Sequence, residues 1–172
     1  MCQNNHDSCE QNTSESSGAG IMAGPVRTVS LDEGKSYVFP THLNEMLLPR
    51  EETENIEVFR VVIEPRQYTH QHAHPDTEQV YIVLSGRGHL LVIRHPDRRV
   101  EYSLVPKLLV YIPRNAEHQV FCDSPNEPLV YICVDSFPGG RLRDEQTWEQ
   151  HYREVIAGLT GGRVADAPVF SR

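Results

Sequence analysis

No stretch of the 172 residues is apolar for long enough to cross a bilayer as a helix. Runs such as Val80–Leu84 and Leu108–Ile112 span five residues, against about 20 for a membrane helix. Positive charge is scarce as well: 16 Lys and Arg stand against 24 Asp and Glu, for a net charge of −8, with no basic stripe. A phosphate backbone is a poor partner for that balance, so neither a nucleic acid nor a membrane is expected as a partner. Cysteine is sparse, at four residues. Cys2 and Cys9 lie near the N-terminus, while Cys122 and Cys133 sit in apolar, strand-like runs where Cys acts as a small buried hydrophobe. This is no disulfide framework, and it fits a reducing, cytoplasmic setting. Met1 to Gly24 contains no Lys or Arg and lacks the apolar stretch of a secretory signal. Its Ser, Asn, Gln, Glu and Gly cannot bury enough surface to offset ordering, so residues 1–25 are expected to form a flexible polar tail.

What the chain does have is enough apolar material, 38%, for one domain with a real core. From Val26 onward, short apolar runs are punctuated by Pro, Gly, Asn and Asp. Tyr37–Phe39, Ile56–Glu64, Gln79–Leu84, His89–Arg94, Glu101–Val105, Leu108–Ile112, Gln119–Cys122 and Leu129–Val134 read as strands. Eight strands with tight turns and no helical periodicity between them indicate an all-β sandwich or barrel over residues 26–142. Residues 143–172 carry one helix and a tail. In Thr147–Leu159, the residues Trp148, Tyr152, Val155, Ile156 and Leu159 fall on one helical stripe. Thr147 and Gln150 are spaced as a capping box, and Gly161-Gly162 supplies a stop. The helix is expected to pack on the outside of the barrel.

Potential ligands are densest in His70-Gln71-His72-Ala73-His74-Pro75-Asp76-Thr77-Glu78-Gln79. In an extended chain, residues two apart face the same way, so an H-x-H pair can present two imidazoles to one ion. Glu78 or Gln79, past the Pro75-Asp76 turn, offers a further ligand, and His118 in Pro113-Arg114-Asn115-Ala116-Glu117-His118 another. Isolated histidines are more often structural or exposed, and His6, His42, His95 and His151 fall in that group. His89 suits a core histidine, and Cys122 shares a strand face with His118.

His72-x-His74-x4-Gln79-x6-Gly86 followed by Pro113-x-Asn115-x2-His118 resembles the two signature motifs of the cupin superfamily. The resemblance covers roughly Phe59 to Val134. It implies a cupin-type jelly-roll β-barrel, with the C-terminal α-helix outside the shared region, and one divalent transition metal (Zn, Fe, Ni or Mn) in the barrel's mouth. By this resemblance His72, His74 and His118 are metal ligands, and Gln79 takes the position usually held by Glu. Glu78 competes for that place, a carboxylate being the better ligand for a hard ion. Where the family often has Gly, this chain has Arg66, Lys107 and Asn115. Asn tolerates a left-handed backbone best among non-glycine residues, so the turn before His118 is expected to survive. The Asn that often closes the second motif is Cys122 here.

Three imidazoles and an amide leave a bound ion its full +2 charge, which favours an anionic or chelating small molecule and Lewis-acid chemistry. The expectation is an enzyme that isomerises, rearranges or cleaves a small polar or anionic metabolite. Fe(II)-dependent dioxygenation and non-catalytic small-molecule binding are the alternatives. Glu78 is the catalytic candidate, with Tyr81, His89 and Tyr111 as further acid–base groups. No organic cofactor is indicated, and the resemblance implies a homodimer through a barrel edge.

Overall fold

The structure, a computed structural model, describes residues 26–95, 98–142 and 144–160. The tail expected over residues 1–25, the Gly161-Gly162 stop and the C-terminal tail lie outside the described residues. So do His6, Cys2 and Cys9. The described residues form nine strands and one α-helix: β1 (Lys35–Val38), β2 (Leu43–Leu48), β3 (Ile56–Ile63), β4 (Glu78–Ser85), β5 (Gly88–His95), β6 (Arg98–Leu104), β7 (Leu109–Ile112), β8 (Glu117–Cys122), β9 (Leu129–Ser136) and α1 (Trp148–Leu159). A six-stranded antiparallel sheet runs β1-β2-β3-β9-β4-β7, and a three-stranded one runs β6-β5-β8. Among the described residues, no helix is long and apolar enough to cross a membrane.

Side chains alternate across each strand, so one face of each sheet meets the core. Val61, Ile63, Val83, Leu129 and Tyr131 from the larger sheet pack with Leu90, Leu104 and Val120 from the smaller one. This is the jelly-roll arrangement that the motif resemblance implies, within the all-β class that the strand pattern indicates. The eight expected strands are all present. β2 is the addition, and its absence from the sequence reading has a cause. Its inward positions include Asn44, which is buried, whereas Leu43 and Leu48 are only half-buried. The alternation of apolar and polar residues is therefore broken.

α1 begins as its sequence indicates. Thr147 Oγ1 accepts from the Gln150 amide at 3.2 Å, and Gln150 Oε1 accepts from the Thr147 amide at 3.1 Å. Trp148, Tyr152 and Ile156 are buried. The helix is not merely an outer layer: Trp148 packs on Phe59 and Tyr37, Tyr152 packs on Phe39, and the Tyr152 hydroxyl donates to Val38 O at 2.7 Å. It thereby walls one side of the barrel's cavity. A buried ionic cluster ties the segment leading to α1 onto the sheet. Arg50 bridges Glu57 and Glu145, while Arg141 Nε lies 3.1 Å from Glu57 Oε1.

The three positions where family glycines are replaced are the three non-glycine residues with positive φ among the described residues: Arg66 at 63°, Lys107 at 73° and Asn115 at 61°. The turns keep their left-handed geometry despite the side chains. Gly86, by contrast, has no alternative: at φ 80° an added Cβ would sit 2.2 Å from Pro128 O. A left-handed β-carbon costs roughly 1–2 kcal/mol, part of which a glycine gives back through its freer unfolded chain. Lys107→Gly is therefore expected to raise stability by about 1 kcal/mol in urea unfolding. A loss of stability would contradict this account of the turn.

Candidate metal centre

The segment after β3 does not wander as a loop. It runs antiparallel beside β8, joined to it by isolated bridges at Tyr68–Phe121 and His72–His118. Thr69 N–H donates to Val120 O at 2.8 Å. Further along, His72 N–H donates to His118 O at 3.0 Å, and His118 N–H to His72 O at 2.8 Å. Asn115 N–H then donates to His74 O at 2.8 Å. This pairing sets the first motif against the second. A directly opposed pair puts both side chains on one face, and the rings of His72 and His118 stand 4.4 Å apart between centroids. His74, two residues on, joins them. The ligand atoms offered by His72, His74 and His118 all lie within 4.8 Å of one another.

The protonation of these rings follows from their partners. His72 Nδ1 lies 2.6 Å from His70 O, and His118 Nδ1 lies 2.8 Å from Ala116 O. A carbonyl oxygen can only accept, so each Nδ1 carries the hydrogen and each Nε2 keeps a free lone pair. Burial, helped by the neighbouring imidazoles, pushes His74 down to about 3 and His118 to about 4, and burial also lowers His72. All three are thus neutral at pH 7, which is the form that binds a metal. The donor set fits a divalent transition ion.

Gln79 faces the same cavity from β4 and is buried. The Tyr81 hydroxyl lies 3.2 Å from Gln79 Oε1 and 3.2 Å from His118 Nε2, so it stands between the amide oxygen and the histidines. Glu78 leaves β4 on the opposite face, half-buried, and is not among the residues lining the cavity. Tyr111 points outward and is 55% exposed. His89 is also outside the cavity: it stacks on Phe121 and pairs with Asp123 at 2.8 Å. Cys122 is buried, but its thiol turns to Glu127 O and away from the cavity. Of the four acid–base candidates, only Tyr81 reaches the site.

The cavity, of about 420 Å³, contains groups that the sequence reading passed over. His42 and His151, read as structural or exposed, both line it. Burial drives His42 down to about 3, and its ring stacks on Phe39 at 4.6 Å. Asp135 is the principal omission. It is buried in the cavity wall, accepts from Gln79 Nε2 at 2.9 Å, and is pushed up to about 7 by desolvation. Its signal was parity: Leu129, Tyr131, Cys133 and Asp135 share the inward face of β9, and the apolar run conceals the acid that ends it.

Residues 59–135 match the family described as the cupin domain. Among curated proteins, the chain is 30% identical over 100 residues to auxin-binding protein 4 from Zea mays, covering 56% of this chain and 48% of that one. The chain thus spans about half the length of this relative. Two solved structures share the fold at 18% identity and a TM-score of 0.56. One is a protein with a double-stranded β-helix domain from Klebsiella pneumoniae, with 68% of this chain and 95% of that chain covered. The other is a polyketide cyclase from Streptomyces resistomycificus, with 71% and 90% covered. The motif match and the shared jelly-roll fold agree, and the resemblance to the cupin superfamily is borne out over residues 59–135.

Proposed function

We propose that this chain is a metal-dependent enzyme acting on a small polar or anionic molecule, with one divalent ion held by His72, His74, His118 and Gln79. The observation that carries this reading is the convergence of three neutral imidazoles within 4.8 Å, with His72 and His74 lining the cavity. An ion bound there supplies Lewis acidity toward oxygen donors. The residues around it do the selecting. Phe39, Phe59 and Trp148 give the cavity apolar walls. Asn44 Oδ1, His70 Nε2 and Trp148 Nε1 are buried on the same cavity's lining residues without a hydrogen-bond partner. Buried polar atoms left unpaired are costly, which favours an occupant with polar groups at more than one place. When His118 Nε2 is engaged, the Tyr81 hydroxyl is left to donate to Gln79 Oε1 or to the occupant's oxygen.

A ligand set without a carboxylate supports isomerisation, rearrangement or lyase chemistry over oxygen activation; iron as the resident metal would favour dioxygenation instead. A second reading, binding without turnover, draws on the maize relative, which is named for binding auxin. Turnover of any metal-dependent substrate separates it from the first. A homodimer remains part of the proposal. Ile82 and Leu84 on β4, with Leu109 and Tyr111 on the edge strand β7, leave an exposed apolar strip that supports it.

Elemental analysis of untagged protein should find about one equivalent of metal, absent from His74→Ala and His118→Ala variants that remain folded. Metal retained in both variants contradicts the site. Gln79→Ala should weaken the ion's binding more than Glu78→Ala does, and the reverse order would reassign the fourth ligand. The sign of the pH dependence is also fixed. An imidazole at its ordinary value of 6.5 takes up a proton and releases its metal as the pH falls below that point. His74 at about 3 and His118 at about 4 do not. With His72 lowered as well, the loss of zinc affinity should begin below about pH 6.5, and a steep loss beginning at or above that pH would show that the ligands are solvated.

A further inference from the structure

A glutamine is an ambiguous ligand, because its oxygen can bind a metal and its nitrogen cannot. Half a turn of the terminal amide exchanges the two. In this chain the choice is made from β9. Gln79 stands directly across from Asp135, and Tyr81 across from Cys133, with all four side chains facing inward and buried. Asp135 Oδ1 accepts the Gln79 Nε2–H at 2.9 Å and the Cys133 thiol at 3.1 Å. An oxygen that takes two donors holds the amide nitrogen on the β9 side. Gln79 Oε1 is then left on the other side, where it accepts from the Tyr81 hydroxyl at 3.2 Å, an oxygen that also lies 3.2 Å from His118 Nε2.

We propose that Asp135 is the positioning residue of the fourth ligand, fixing the Gln79 amide with its oxygen toward the histidines. The inference rests on the reading that Gln79 is a ligand, and it accounts for an amide at a position where a carboxylate is usual in the family. A glutamate at 79 would set a second carboxylate at hydrogen-bond distance from Asp135, and two such groups cannot both ionise at that separation. The amide at 79 and the acid at 135 are therefore one coupled choice made across the β4–β9 ladder. Cys133, whose thiol is raised well above its ordinary value by burial, serves here as a hydrogen-bond donor and not as a nucleophile.

The test is cobalt(II) titration of the full chain, read by the visible spectrum and by affinity, in a cycle with Gln79. Asp135→Leu removes the acceptor and should weaken Co(II) binding about tenfold or more, the usual scale for losing a group that orients a ligand. Its spectrum should move to that of Gln79→Ala. Asp135→Asn keeps an acceptor oxygen and should retain both the wild-type spectrum and the affinity within a few-fold. In the Gln79→Ala background, Asp135→Leu should add nothing, since its effect passes through the amide. Should Asp135→Leu fail to fold by circular dichroism, Asp135→Ala completes the same cycle. Wild-type affinity and spectrum in the acceptor-less variant would overturn the inference. An undiminished loss in the Gln79→Ala background would do the same. Those outcomes leave the three-histidine centre standing. A wild-type chain that binds no Co(II) would overturn the centre and the inference together, whereas unaltered binding by Gln79→Ala would remove only Gln79 and what depends on it.

Discussion

The structure turns on two backbone hydrogen bonds between His72 and His118. They belong to neither named strand pairing, yet they join the two halves of the site, which are 46 residues apart in sequence. Without them the H-x-H segment would be a loop over the barrel's mouth, and a loop does not hold imidazoles to ligand distances. With them, the segment is bridged antiparallel to β8, and both rings emerge on one face. The two Nδ1–carbonyl bonds then set each ring's tautomer and orientation. Burial completes the preparation by keeping the imidazoles neutral, so the cost of assembling the donors is met in folding and not in binding.

The opposite wall faces the same problem of placing polar groups inside a barrel. Glu57, Asp135 and Gln79 lie in register on β3, β9 and β4, a polar row across the inward face. Each is satisfied differently. Glu57 takes Arg50 and Arg141, and so secures the chain that leads to α1. Asp135 takes the Gln79 amide and the Cys133 thiol. Gln79 divides its amide between Asp135 and Tyr81. Below this row the inward residues become apolar and the core proper begins. The sheet thus changes character from packing to chemistry within two residues along each strand.

That change of character governs how much was legible in the sequence. Strands whose inward positions are all apolar, such as Leu129–Val134, announce themselves by composition. The helix does so through its stripe and its Thr147 and Gln150 cap. His72, His74 and His118 are legible because two motifs carry them with fixed spacing. Asn44 and Asp135 are not, since each is a polar residue at an inward strand position, where local patterning reads it as a break or an end. Glu78 competes in the sequence because it lies just past the Pro75-Asp76 turn and a carboxylate is the better ligand for a hard ion. The strand's period of two sends it to the other face, and Gln79 takes the inner one. Arg66, Lys107 and Asn115 show the converse. Their left-handed turns persist without glycine because the flanking strand pairings over-determine the backbone.

The most direct measurement of the central claim is X-ray absorption at the zinc edge of the zinc-loaded protein. The first shell should hold nitrogen and oxygen alone, with imidazole nitrogens at about 2.0–2.1 Å and outer-shell scattering from three imidazole rings. Sulfur in the first shell would place Cys133 where Gln79 belongs, and fewer than three imidazoles would break the pairing of the two motifs on which the site depends.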